Sequence, residues 1–317
     1  MKVVILDSGY KSYDLEKELF EGNGFELKIY PTYEGEKAEK MEFAKEADGI
    51  LVRHTRIDEE FLSKMKNLKA VVRYGVGYDN VDVAACTRAG VKVANVQGYA
   101  NHSVSEHALA FMFSCSRALW DTKKQITTKF AAPPVDDVFE LHDKTLGIIG
   151  LGRIGSELAK KAASLFKAII AADPYKSQKY CNRFSVRKVD MTELLQTSDI
   201  ISLHCNLTEE THHILNEDTF SQLKKRPVII NTSRGETINE KALLKALNSG
   251  IIHSAGLDVF ENEPPAIAQN ELINHPRTIC TGHYAWYSDY AAVELQKRAA
   301  QNLFHFLTGK EVEDSLN

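Results

Sequence analysis

The sequence predicts an α/β protein of two doubly wound domains, and three observations carry that expectation. Short apolar runs alternate with amphipathic stretches along the chain. Its 317 residues leave room for about two domains. A glycine-rich turn opens the second set of alternating segments. Buried strands alternating with helices are the pattern of a parallel sheet covered on both faces.

In the first set, residues 3–6, 27–30, 49–52, 70–73 and 91–94 read as buried strands, with helices at 14–22, 37–46, 58–66 and 81–89. A longer helical pattern follows at 103–127. Ser103 at its start and Glu106 three residues on form a capping-box signature. No low-complexity linker separates the two sets, so this helix is expected to join them. The second set has strands at 145–150, 168–173, 199–204, 228–232, 255–259 and 278–281, and helices at 153–167, 239–249 and 288–308. The last helix is expected to cross back to the first domain and make it discontinuous.

Composition excludes several classes. The chain is 44% hydrophobic and 26% charged, as soluble globular proteins are. A formal net charge of −4 with scattered Lys and Arg gives no footprint for nucleic acid. No stretch approaches the roughly 18 apolar residues of a membrane span. The apolar run at 3–6 is too short for a signal peptide. Cys86, Cys115, Cys181, Cys205 and Cys280 are odd in number and contain no CxxC pair, which argues against zinc and against a disulfide framework. A cytoplasmic protein with reduced thiols and no metal is the expectation.

Gly150-Leu151-Gly152-Arg153-Ile154-Gly155 matches G-x-G-x-x-G between the apolar run 145–149 and the helical stretch beginning at Ser156. The first glycine permits a tight turn, the second lets backbone approach a pyrophosphate, and the third lets helix and strand pack closely. The helix start, with Arg153 and Ile154, then offers free N–H groups to the anion. Alone the triplet is only a turn. Asp173, 18 residues past the last glycine and at the end of the next strand, has nearly the expected spacing for a ribose-binding acid. Its carboxylate would accept from the ribose hydroxyls and repel a 2′-phosphate, so NAD is expected over NADP.

Hydride transfer to a 2-oxo acid needs a cation for the carboxylate and carbonyl, an acid for the developing alkoxide, and a group that tunes that acid. Arg234 follows an apolar strand in Asn231-Thr232-Ser233-Arg234-Gly235, where open α/β sheets bind ligands. Its planar fork suits a carboxylate, although an ordinary turn arginine fits the same position. Glu263 lies in Glu261-Asn262-Glu263-Pro264, and Glu261 is an equally good acid on composition. His283 also follows a strand but is one of 11 histidines, and a lone histidine is more often structural.

The glycine motif, Asp173, the 231–235 string, Gly256-Leu257-Asp258-Val259-Phe260-Glu261-Asn262-Glu263-Pro264 and His283 together resemble the D-isomer-specific 2-hydroxyacid dehydrogenase family over nearly the whole chain. Leu203-His204-Cys205-Asn206-Leu207-Thr208, His212-His213 and His283-Tyr284-Ala285-Trp286-Tyr287-Ser288 are most similar to its C-terminal-binding-protein-like branch. The resemblance implies a Rossmann NAD-binding domain over 99–287 and a discontinuous flavodoxin-like substrate domain over 1–98, completed by 288–317. It also implies a homodimer. His283 would be the proton donor in reduction, with Glu263 stabilising its imidazolium. Arg234 would orient the substrate and polarise its carbonyl. Backbone N–H groups of Val76 and Gly77 would hold the carboxylate, with Arg73 nearby; Val76 would also border the cofactor. Asp258 would lie near the nicotinamide amide. His204, Cys205, Thr232 and Ser233 would line the cofactor cleft, which Arg234 and His283 also border. Two departures stand out: Gly282 and Asn206 occupy places where the family often has proline.

Trp286 follows His283 by three residues, so a helical start there would put both on one side. That predicts a medium or large apolar substrate side chain. Two other readings stay open. One is a 3-phosphoglycerate dehydrogenase with Arg53, Arg56 and Arg73 as phosphate ligands. The other is an NAD-sensing scaffold, against which the retention of Arg234, Glu263 and His283 argues.

Overall fold

The computed structural model describes residues 1–119, 126 and 133–317. The chain divides into two compact units, Met1–Ala100 with Ser288–Asn317, and Asn101–Tyr287.

The first unit is a parallel sheet of β1 (Lys2–Ile5), β2 (Glu26–Ile29), β3 (Gly49–Val52), β4 (Ala70–Arg73) and β5 (Lys92–Ala94). Its order β2-β1-β3-β4-β5 is the flavodoxin-like one. Val4, Leu6, Ile50, Val52, Phe61, Val71 and Val93 form the core on one face. Helices α1 (Asp14–Glu21), α2 (Lys37–Ala44), α3 (Glu59–Ser63) and α4 (Val83–Arg88) connect the strands. Asp58 and Asp82 start the last two by accepting the amides of Phe61 and Ala85. The C-terminal helix Asp289–Leu307, capped by Ser288, completes this unit against β3 and β4. Gly49 permits the approach, since a Cβ there would lie 2.9 Å from methyls of both Leu303 and Leu307.

The second unit is a seven-stranded parallel sheet of β6 (Thr145–Ile149), β7 (Ala168–Ala172), β8 (Arg187–Lys188), β9 (Ile200–Leu203), β10 (Val228–Asn231), β11 (Ser254–Leu257) and β12 (Thr278–Cys280). The order β12-β11-β10-β9-β6-β7-β8 is the Rossmann arrangement, and the direction of winding reverses between β6 and β9. Its helices are α5 (Asn101–Ser116), α6 (Arg153–Ala162), α7 (Gln178–Cys181), α8 (Met191–Thr197), α9 (Glu217–Ser221) and α10 (Glu240–Asn248). Two apolar clusters cover the two faces of the sheet.

The expected fold class stands. The helix expected at 103–127 differs in detail: it begins at Asn101, and residues 120–125 and 127 lie outside the described part. Ser103 and Glu106 are therefore inside the helix and form no capping box; Glu106 instead pairs with Lys161 of α6 at 2.6 Å. The helix expected at 153–167 ends at Ala162. Strand β8 and helices α7, α8 and α9 were not anticipated, because elements of two to seven residues are too short to show a period.

Candidate active site

The site residues of the second unit gather at the carboxyl ends of its strands. After β6 the chain turns at Gly150, whose φ of +89° suits glycine and whose absent Cβ would lie 2.7 Å from the Cys205 amide nitrogen. A Cβ on Gly155 would fall 2.3 Å from the Gly150 carbonyl oxygen, so the third glycine sets the contact between α6 and the turn. A Cβ on Gly152 would meet nothing within 4 Å. The middle glycine thus faces open space at the N-terminus of α6, the end of a helix whose dipole favours an anion. These are the dispositions a pyrophosphate requires.

Asp173 directly follows β7. Its Oδ2 accepts the Leu151 amide at 2.8 Å and its Oδ1 the Tyr175 amide at 2.9 Å. Both oxygens keep a lone pair for ribose hydroxyls. At the ends of β9 and β10, His204 Nδ1 and Thr232 Oγ1 are buried with no hydrogen-bond partner among the described residues. His204 Nε2 is 2.8 Å from Ser202 Oγ, and burial pushes the ring down to about 4, so it is neutral. Buried polar atoms of this kind normally have partners. The two orphans, the open Gly152 and the tethered Asp173 fit a dinucleotide. Cys205 is half-buried.

Asn231 shapes the next loop. Its Oδ1 accepts the Ser233 amide and hydroxyl at 3.0 and 2.8 Å, and its Nδ2 donates to the Arg234 carbonyl at 2.9 Å. Arg234 Nη1 donates to the Ser233 carbonyl at 2.8 Å. Glu263 Oε1 accepts the Phe260 amide at 3.0 Å, and Oε2 lies 2.5 Å from His283 Nδ1. Burial alone would raise the Glu263 carboxyl. The His283 hydrogen bond and charge, the Phe260 amide and the Arg234 guanidinium outweigh it and hold the group below its ordinary value. Glu261 is engaged elsewhere: its Oε1 accepts the Glu240 amide at 3.1 Å and lies 3.0 Å from His213 Nε2. The geometry therefore separates two acids that composition left equal.

His283 has a left-handed backbone, with φ of 54°. Its amide donates to the Asp258 carbonyl at 2.7 Å. The buried Asp258 carboxylate accepts from Thr281 Oγ1 at 2.5 Å and from the amides of Tyr284 and Ala285 at 3.0 and 2.9 Å. Asp258 thus holds the loop that carries His283. Sequence reasoning gave Asp258 a place near the cofactor, assigned no role to Asn231 although it opens the 231–235 string, and did not mark Thr281 at all.

Trp286 and His283 do not share a helical start. The helix begins only at Asp289, and the Tyr287 amide donates to the Tyr284 carbonyl at 2.8 Å in a turn. Trp286 is half-buried and meets Tyr287 edge-on at 5.2 Å.

In the first unit, Arg73 ends β4, and its guanidinium lies over Gly75, where a Cβ would come within 1.6 Å of Nη1. Val76 is 40% exposed, and its carbonyl accepts from Asn95 Nδ2 at 2.6 Å. Gly77 follows, half-buried. Among the described residues no cluster of His, Cys, Asp and Glu could hold a metal, and no helix is long and apolar enough to cross a membrane.

The family model described as "D-isomer specific 2-hydroxyacid dehydrogenase, NAD binding domain" matches residues 109–285. The chain is 36% identical to D-3-phosphoglycerate dehydrogenase of Bacillus subtilis over 271 residues, 85% of this chain but only 51% of that protein. It is 38% identical to hydroxypyruvate reductase of Thermotoga maritima over 261 residues, 78% of this chain and 81% of that one. Among solved structures, D-lactate dehydrogenase of Aquifex aeolicus complexed with NAD and lactic acid superposes with a TM-score of 0.85 at 30% identity, covering 97% and 96% of the two chains.

Proposed function

The chain belongs to the D-isomer specific 2-hydroxyacid dehydrogenase family, and from that premise we propose that it interconverts a D-2-hydroxy acid and its 2-oxo acid with NAD. The observation that carries the reading is the 2.5 Å pair of His283 Nδ1 and Glu263 Oε2, held in the same unit as Arg234 and the glycine turn.

NAD, when bound, supplies or takes the hydride. In reduction, His283 gives its Nε2 proton to the C2 oxygen, because Nδ1 is committed to Glu263. Glu263 keeps the ring oriented through its contact with Nδ1. Arg234 holds the carboxylate and polarises the carbonyl. Arg73 and the amides of Val76 and Gly77 are the substrate groups of the first unit, and Asp173 with the 150–155 turn is the cofactor grip of the second. His204, Cys205, Thr232 and Ser233 complete that grip. In oxidation the proton path reverses.

The reading extends to a medium or large apolar substrate side chain, supported by the indole of Trp286 in the same loop as His283. It also carries a homodimer in the cytoplasm, with which the five free thiols agree. A phosphorylated substrate is the second reading. The Bacillus relative favours it, as does Arg53, which follows β3 and stacks its guanidinium 4.9 Å from the Tyr10 ring and 5.4 Å from the Tyr33 ring. A steady-state screen of NADH consumption with pyruvate, phenylpyruvate, hydroxypyruvate and its 3-phosphate separates the two. His283→Gln should lower kcat on the best substrate by about 10²–10⁴-fold with NADH binding unchanged. Near-wild-type turnover by this variant would remove His283 from the mechanism.

A further inference from the structure

The loop carrying His283 is held from a direction the motifs do not reveal. His107 lies in α5, far from residues 281–285 in sequence. Its Nε2 is 3.0 Å from Thr281 Oγ1, and Thr281 in turn donates to Asp258 Oδ1 at 2.5 Å. The direction of each bond follows. Asp258 accepts from the Tyr284 and Ala285 amides, so its carboxylate takes the single hydroxyl proton of Thr281. Toward His107 the Thr281 oxygen can then only accept, so Nε2 carries the proton of this bond. Burial favours the neutral form of the ring, pushing His107 below its ordinary value against the Asp258 charge. Edge-on contacts with Phe111 at 4.6 Å and Tyr284 at 5.5 Å fix the ring plane.

We propose that His107 is a positioning residue for His283, acting through a one-way hydrogen-bond chain from His107 Nε2 through Thr281 to Asp258. Asp258 converts the chain into backbone geometry. Its carbonyl holds the His283 amide and its carboxylate holds the next two amides. This clamps a non-glycine residue at a positive φ, a conformation that persists only where its surroundings enforce it. Gly282 before it gives the loop no stiffness of its own, so the clamp supplies it.

The proposal rests on the reading of His283 as the acid, and the test separates the two. His107→Phe keeps the ring volume and its aromatic contacts but removes the donor. His107→Gln keeps a donor. The expected result is a fall in kcat of roughly twofold to tenfold in His107→Phe, the worth of one neutral hydrogen bond, with the NADH dissociation constant unchanged and recovery in His107→Gln. Thr281→Val should lose activity as well, and the double variant with His107→Phe should be no worse than Thr281→Val alone, because one chain is broken once. Equal losses in the Phe and Gln variants, or losses that add fully in the double variant, would overturn the chain. If His283→Gln itself keeps wild-type turnover, the functional reading fails. If His283→Gln is inactive while His107→Phe matches wild type, only the positioning role fails.

Discussion

Asp173 and Glu263 show how much a single side chain decides here. Asp173 accepts one amide from the glycine turn and one from Tyr175, so it serves both the turn and the ribose. Asp173→Ser removes the ribose acceptor and the repulsion of a 2′-phosphate. NAD affinity should fall and NADP use should rise, read as the ratio of kcat/KM for the two cofactors; an unchanged ratio would take Asp173 out of cofactor choice. Glu263 is held below its ordinary value despite burial, mainly by His283. A depressed carboxyl stays ionised as pH falls through the usual glutamate range and becomes protonated only below it, so Glu263 does not limit activity on the mildly acidic side. In Glu263→Gln the carboxylate that pairs with His283 Nδ1 is gone. Reductive kcat should then fall, though less than in His283→Gln, and wild-type turnover would exclude the pairing. Residue types and strand-end positions made Arg234 and His283 candidates, and only the family resemblance singled out Arg234, Glu263 and His283. Composition could not choose Glu263 over Glu261, because it is the fold that sends Glu261 to His213 and the start of α10.

Elements were legible where burial dictates composition. β9, β10 and β11 are buried at every residue and read as mostly apolar runs, with Ser202, Asn231 and Ser254 as their polar members. The start of α5 was misread because Ser103 and Glu106 have the spacing of a cap, whereas the pair lies in the helix with Glu106 facing α6. A cap signature is local; the partner that reassigns it is 55 residues away. The seat of α5 depends on Gly256 in β11. A Cβ there would lie 2.7 Å from Cβ and Cγ of Phe111, on the helix that carries His107. Gly256→Ala should therefore overpack this contact and cost about 1–3 kcal/mol, seen as a lower denaturant midpoint with an unchanged slope. An unchanged midpoint would show that α5 shifts freely, and would also weaken the claim that His107 is held in register.

At the scale of the whole molecule, a chain that leaves its first unit at Ala100 and returns at Ser288 makes that unit depend on its last 30 residues. The order of the two sheets was legible only through family resemblance. Alternation says that strands are parallel, but their order comes from crossovers that no local pattern records. The return has an energetic consequence. Leu303 is fully buried, and its methyls sit where Gly49 gives β3 no side chain. Leu303→Ala leaves a cavity at that seam and should cost about 2–5 kcal/mol. The loss falls on the first unit, to which Gly49 and Leu303 both belong, whereas the glycine turn, Asp173, His204 and Thr232 all belong to the second. The variant should melt in two steps, with the earlier one lowered relative to wild type. NADH should raise the later one, because a ligand stabilises what it binds. A single transition that NADH shifts as a whole would mean that the two units unfold together and that the C-terminal helix stabilises both.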